Sequence, residues 1–399
     1  MEIRTLRASE LELAWELDAD SFHVAPEKRE AALRFSDPER FLGAFEGERL
    51  VGMTSAFPFG QYFGGRSVPM GGLTAVAVAP DWRGRGVATR LCGDYLALMH
   101  ERGEAISSLF PGTTSLYRAL GWELAGSHAI RKLDPRVLLD LPHPEAGQAR
   151  PMTDADEAAV REGYQRLAQP TNGCLERPLP YWERRFASWS EQSRFVFQNE
   201  AGGIDGYLVY RQHDGEYSHV GGEFGLAVSE IATWSRDAAL GLWRLLGSWG
   251  SQADHVIYRG AVEDPTQLLA PEQYGTMLAD FRWMTRVVDA PAAVAARGFP
   301  AGLEIEVPLR LRDALVATNQ ADYVLSVQKG QGELTRCEGS RSGADSPELG
   351  IAAFASLYTG WAGTAALARM GLLRGGSPER CAALDAAFAG RTPWMLDEF

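Results

Sequence analysis

The residues with the clearest chemical purpose stand six in a row, Arg83-Gly84-Arg85-Gly86-Val87-Ala88. A pyrophosphate needs several backbone N–H donors converging on it. A glycine loop that opens a helix supplies them, together with the positive end of the helix dipole. Gly84 and Gly86 let the backbone come close, Ala88 keeps the helix start uncrowded, and Arg83, Arg85 and Arg90 add positive charge. A Walker-type loop would continue as Gly-Lys-Ser/Thr, and this sequence does not. A dinucleotide fingerprint would end in a third glycine inside an early βαβ unit, whereas Gly84-Arg85-Gly86-Val87-Ala88-Thr89 ends in Thr. The plain alternative is an Arg/Gly-rich surface turn, and the flanking elements weigh against it.

Those elements have to hold the loop. Phe41 to Phe45 and Leu50 to Phe57 read as strands joined by a turn at Gly47-Glu48. Ser67 to Ala79 is a further extended segment whose small, β-branched end is stopped by Pro80. From Val87 the period changes. Ala88, Leu91, Cys92, Tyr95, Leu98 and Met99 fall on one helical face, and Gly103 supplies a stop. A strand at Ala105 to Phe110 and a short helix around Ser115 to Leu120 follow.

The Pro-containing stretch 133–144 reads as a boundary. Beyond it, strands at Phe195 to Gln198, Tyr207 to Arg211, Phe224 to Val228 and Val256 to Tyr258, with a helix at Ala238 to Trp249, suggest a second α/β unit. It has no counterpart of the arginine–glycine loop, so no cofactor is assigned to it. In the last third, strands at Leu303 to Leu311, Tyr323 to Val327 and Leu334 to Cys337 precede helices, an α+β order. Ser346-Pro347-Glu348 and Ser377-Pro378-Glu379 both read as helix starts. The apolar run Ile351 to Leu373 is broken by Gly360, Gly363 and Arg369, which predicts two buried helices and no membrane span.

Composition narrows the function classes. A chain of 399 residues, 45% hydrophobic and 23% charged, predicts two or three globular domains. A net charge of −13 argues against nucleic acid and fits a cationic small-molecule partner, or simply a cytoplasmic protein kept in solution. Cys92, Cys174, Cys337 and Cys381 lie far apart without ligand spacing, so no metal is expected and the cytoplasm is the simplest setting.

The segment Val76 to Ala88 closely resembles motif A of the GNAT acetyltransferase superfamily. Ser115-Leu116-Tyr117-Arg118-Ala119-Leu120-Gly121-Trp122 is similar to that superfamily's Tyr-x-x-Φ-Gly-aromatic segment. Further segments are Ala290 to Phe299, Leu357-Tyr358-Thr359-Gly360, Ala383 to Phe388 and the final Asp397-Glu398-Phe399. With these, essentially the full chain resembles the Eis (enhanced intracellular survival) family, and the Glu-Phe ending is the most discriminating part.

The resemblance implies tandem GNAT domains, with mixed sheets flanked by helices, and a C-terminal α+β domain like sterol carrier proteins. The implied limits are residues 1–138, 139–288 and 289–399. It implies acetyl-CoA as co-substrate, with no metal. Val76, Ala77 and Val78 would serve the pantetheine arm and thioester carbonyl. Arg83, Gly84, Arg85, Gly86, Val87, Ala88 and Thr89 would hold the pyrophosphate, and Gly112 and Thr113 would add cofactor contacts. Tyr117 would be the general acid, and the α-carboxylate of Phe399 the general base. Phe22, Asp397 and Glu398 would serve the acceptor, although the two acidic residues read equally as a solvated tail. Ala75 replaces a bulky aromatic, which reshapes the pocket. The implied activity is acetylation of primary amines on a polycationic molecule, with aminoglycosides as the expected class, by a homo-oligomer, commonly a hexamer. A protein lysine acceptor, and a lipid-binding role for the C-terminal domain, are the alternatives.

Overall fold

The computed structural model describes residues 1–214, 224–272, 274–337 and 345–399. The chain folds into two compact units. The first comprises Met1–Gly126, Arg282–Pro393 and Glu398–Phe399, and the second comprises Ser127–Phe281 and Trp394–Asp397.

The first unit begins with β1 (Glu2–Thr5), α1 (Leu11–Phe22), α2 (Arg29–Arg34), β2 (Phe41–Glu46), β3 (Arg49–Phe63) and β4 (Arg66–Val78). Next come α3 (Val87–Glu101), β5 (Ile106–Leu109) and α4 (Thr114–Ala119). The strands β1-β2-β3-β4 form an antiparallel meander, as the sequence pattern predicts, and β5 joins β4 in parallel. The helix face predicted at Leu91, Cys92, Tyr95 and Met99 is buried against Val51, Leu73, Leu109 and Trp122. Each such side chain removed from water contributes roughly 1.5–3 kcal/mol, which is what seats α3 on the sheet.

Two irregularities in β4 matter for function. The register with β3 shifts between Met53 and Ser55, and Ala75 adopts a left-handed φ of 52°. The hydroxyl of Thr54 donates to the Thr74 carbonyl at 3.1 Å within this bulge. Second, β4 pairs with β5 only from Met70 to Gly72. Past that point the two parallel strands separate, and the edge of β4 from Leu73 onward faces the cavity described below.

The second unit is entered along β6 (Glu123–Leu133) and contains β7 (Gln148–Pro151), α5 (Glu157–Ala168), β8 (Leu175–Glu176) and α6 (Leu179–Trp189). It continues through β9 (Ser193–Gln198), β10 (Ile204–Asp214), β11 (Phe224–Thr233), α7 (Arg236–Gly247) and β12 (Ala253–Gly260) to β13 (Thr276–Val287). Its strands run in the order β6-β12-β11-β10-β9-β7. Again a β-bulge interrupts one antiparallel pair, at Val209/Tyr210, and a parallel pair, β11 with β12, follows it.

The chain then returns to the first unit, where the end of β13 pairs with β5. Next come α8 (Ala290–Ala296), β14 (Ile305–Arg312), β15 (Ala321–Gln328), β16 (Gln331–Arg336), β17 (Glu348–Gly350), α9 (Ile351–Thr359), α10 (Thr364–Arg369), β18 (Leu373–Arg374) and α11 (Pro378–Ala387). These strands form a five-stranded sheet, β16-β15-β14-β17-β18. The apolar run does form two helices, but only α9 is buried along its length, while α10 buries Thr364 and Leu367 and exposes Ala365, Ala368 and Arg369. Ser377 caps α11 as predicted, its side chain accepting from the Arg380 N–H.

The other expected helix start is corrected. Glu348–Gly350 form a strand, and the helix begins only at Ile351. Parallel pairing with β14 satisfies this backbone, the Arg310 N–H donates to the Pro347 carbonyl at 2.8 Å, and Arg312 meets Glu348 at 3.0 Å. Sheet pairing overrides the local capping signal.

Candidate active site

A cavity of about 600 Å³ opens in the first unit where β4 and β5 part. Its floor is the β4 edge Leu73, Thr74, Ala75 and Val76. Phe110, Gly112 and Thr113 contribute from the segment after β5, Leu116 and Tyr117 from α4, and Ala88 from the first turn of α3. Asp18 and Phe22 reach in from α1, and Glu398 and Phe399 from the chain end. Eight residues named from the sequence are thereby gathered: Phe22, Val76, Ala88, Gly112, Thr113, Tyr117, Glu398 and Phe399.

The terminal residue has a built seat. The Phe399 ring packs on Phe59 at 5.2 Å between centroids and edge-on to Phe110 at 5.9 Å. Gly72 lies beneath it, and a Cβ there would come within 2.8 Å of the Phe399 ring and 2.9 Å of Phe59. Gly72 is therefore the floor of an aromatic slot that fixes the end of the chain. Asp397, one residue before Glu398, has a different environment. It belongs to the second unit, fully buried, with Arg177 Nε 2.9 Å from its Oδ1. The Tyr164 hydroxyl donates to its other oxygen at 3.2 Å.

Tyr117 sits on α4 with only 7% of its surface exposed, edge-on to Trp122 at 6.3 Å. Burial pushes its hydroxyl pKa up, with Cys92 adding to the effect, so it stays protonated and can only donate near neutrality. Cys92 is itself pushed up to about 12 by burial, so it is an inert core thiol.

The loop fits the phosphate role. Gly84 and Gly86 adopt φ of 74° and 76°, values that favour glycine, and both backbones are open on the side where a Cβ would stand. Gly86 is the N-cap of α3 without a side-chain cap, and the first turn carries no acidic residue. The N–H groups of that turn have no intrahelical acceptor and are available to an anion. The Arg85 guanidinium lies over Trp82 at 4.9 Å, and Arg83 Nε donates to the Val78 carbonyl at 3.1 Å. Val87 and Ala77 are buried core side chains, so any contact they make with a ligand is through the backbone. Thr89 is exposed. A pyrophosphate on these donors would leave the strand edge of β4 for the pantetheine arm.

Asp18, Leu73, Thr74, Phe110 and Leu116 were not found by sequence reasoning. Asp18 carried a signal in principle. It is four residues before Phe22, one helical turn, and so shares its face. Among the described residues no group of three or more His, Cys, Asp or Glu side chains could hold a metal, and no helix is long and apolar enough to cross a membrane.

The fold and site together define a GNAT acetyltransferase with a second copy of the fold and an appended domain. Family models agree. Acetyltransferase (GNAT) domain models match residues 2–125 and 173–287, and a sterol carrier protein domain model matches 290–396. A GCN5-related N-acetyltransferase from Kribbella flavida superimposes with a TM-score of 0.88 at 34% identity, over 100% of this chain and 98% of that one. One from Anabaena variabilis gives 0.91 at 29% identity, with both chains fully covered. N-acetyltransferase Eis of Mycobacterium tuberculosis is 26% identical over 366 residues, 88% of this chain and 86% of that protein. The chain belongs to the Eis family of GNAT N-acetyltransferases. Enzymes of this superfamily take the acetyl group from acetyl-CoA.

Proposed function

We propose that the protein acetylates primary amines of a polycationic small molecule, aminoglycosides being the best-fitting class, in a ternary complex with acetyl-CoA. The observation that carries this reading is one cavity lined by Tyr117, Phe399, Glu398, Asp18 and the open β4 edge. Two side-chain carboxylates and the terminal one would attract and align a cation. The acceptor is an ammonium at neutral pH, so one proton must leave before its nitrogen attacks the thioester carbon. The Phe399 carboxylate takes that proton. With a carboxylate pKa of about 3.5 it is a weak base, so it works through a water and on an amine already stripped of solvent. As the C–S bond breaks, Tyr117 passes its proton to the departing sulfur, and the second proton released by the acylated nitrogen returns Tyr117 to its neutral form through water. Because burial raises the Tyr117 pKa, this donation has to be concerted with bond cleavage. Phe22, more than half exposed at the cavity mouth, offers the acceptor an apolar face.

The test is thiol release with a panel of aminoglycosides and linear polyamines, run on the native chain and on one extended by a few residues after Phe399. The expected result is turnover with the polycations and its collapse in the extended chain while acetyl-CoA still binds. Turnover only with a basic protein would shift the acceptor to lysine side chains, and full activity after extension would remove the terminal base.

A further inference from the structure

Tyr117 can deliver a proton only from a helix that is held in place, and α4 has six residues. Helices that short do not persist on their own. Thr113 gives α4 no side-chain cap, so the hold has to come from the other end. There the chain closes in a Schellman turn. The Trp122 N–H donates to the Tyr117 carbonyl and the Gly121 N–H to the Arg118 carbonyl, both at 3.1 Å, with Gly121 at a left-handed φ of 92°. Those bonds do not use the Leu120 carbonyl.

Arg286, at the end of β13, uses it. Its Nε donates to the Leu120 carbonyl at 3.0 Å and its Nη1 to the Val287 carbonyl at 2.6 Å. Its Nη2 donates to both oxygens of Asp313, at 2.8 and 2.6 Å. A Cβ at Gly121 would stand 2.7 Å from Arg286 Nε and 3.0 Å from the Ile351 side chain, so the turn needs glycine for space as well as for φ.

The clamp on Arg286 is itself fixed. Asp313 Oδ1 accepts from the Leu315 and Val316 N–H groups at 3.1 and 3.2 Å, and Asn319 Nδ2 donates to Oδ2 at 3.0 Å. Asn319 also accepts from the Ala290 N–H at 2.8 Å and donates to the Val288 carbonyl at 2.9 Å. Arg286, Asp313 and Asn319 are at most 4% exposed. Burial works against the Asp313 charge, but Arg286 and Asn319 outweigh it and hold the carboxyl below its ordinary value, so the pair stays ionised. Asp313 and Asn319 lie between β14 and β15, in the appended domain.

The plain alternative is an ion pair that only stabilises the fold. A buried ion pair is a weak source of stability. That reading also leaves unexplained why Nε is spent on the end of the helix that carries Tyr117.

We propose that Arg286 is a positioning residue for Tyr117, clamped by Asp313 and Asn319, so that the appended domain sets the reach of the proton donor towards the thioester sulfur. The proposal rests on Tyr117 being the general acid.

The test is a double-mutant cycle on kcat, with acetyl-CoA and the aminoglycoside or polyamine that turns over fastest. Arg286→Lys keeps the charge and loses the fork. It should lower kcat by about ten- to a hundredfold, the scale of a misplaced reacting group, while the acetyl-CoA KM stays within about twofold. In the Tyr117→Phe background the same substitution should change the remaining kcat by less than about twofold. Asp313→Asn, which keeps the shape of the carboxylate, reads the same coupling should the lysine variant fail to fold. Equal losses in both backgrounds, or native kcat in both Arg286→Lys and Asp313→Asn, would overturn the proposal and leave Tyr117 as the acid. A native kcat in Tyr117→Phe alone would instead strike the general acid, and the proposal with it.

Discussion

The two GNAT units share a plan and differ where it matters, at the start of one helix. In the first unit α3 opens on Gly86, with no side-chain cap and no acidic residue in its first turn. In the second, α7 opens on Ser235, whose hydroxyl accepts from the Ala238 N–H, and Asp237 adds a negative charge. One helix end is left open for an anion, and the other has satisfied itself. The clefts differ in the same sense. The parting of β4 and β5 holds about 600 Å³. In the second unit, Trp243 and Tyr258 pack edge-on at 4.8 Å, and with Trp394 and Leu396 they leave a cavity of about 100 Å³. A bulge followed by a parallel strand pair is thus not enough for a cofactor site. The helix cap and the side chains in the split decide it.

The largest expected effect falls on the first unit alone. Tyr117→Phe should lower kcat by about 10²–10⁴ with acetyl-CoA binding intact, the range for a lost general acid. Tyr258→Phe in the second unit should leave turnover alone. Any high-pH limb due to Tyr117 belongs above the ordinary tyrosine value of about 10, because burial raises it. A limb below that value which Tyr117→Phe removes would break the assignment.

Next is the buried charge cluster of the second unit. Arg177 bridges Glu230 at 2.8 Å and Asp397 at 2.9 Å, and Arg185 and Tyr207 also bond Glu230. Arg177→Met takes the cation from buried Asp397 and one of two from Glu230, which keeps Arg185, and should cost about 3–5 kcal/mol in denaturant titration. Despite its burial, Glu230 is held at about 2 by the Arg177 and Arg185 cations. A lowered carboxylate pKa stabilises fully above the unfolded value of 4.5, and that contribution is lost as pH falls from there towards 2. Melting temperatures measured from pH 5 downward should fall in the native chain.

A smaller effect tests the loop. Gly86→Ala keeps the helix but forces an alanine to φ near 76°, a strain of about 1–2 kcal/mol. The acetyl-CoA KM should rise by about tenfold for that energy, with little change in kcat. The mirror-image change is smallest. Ser235→Ala should cost the fold about 1 kcal/mol and leave the acetyl-CoA KM where it was.

What the sequence disclosed follows from range. The loop, the meander strands and the α3 face are local patterns, and all were legible. The divergent fates of Asp397 and Glu398 were not, since adjacent acidic residues look alike until Arg177 and Tyr164 are placed. Gly72 gave no sign of its purpose, because the need for a bare backbone comes from Phe399, more than three hundred residues later. Strand β13 escaped notice because its first half is largely exposed and shows no alternation.

The most direct measurement is the stoichiometry of acetyl-CoA binding to the full chain by calorimetry. One molecule per chain is predicted, weakened by Gly86→Ala and untouched by Ser235→Ala. Two molecules per chain, or a single site that Gly86→Ala leaves unchanged, would contradict the assignment of the cofactor to the first unit.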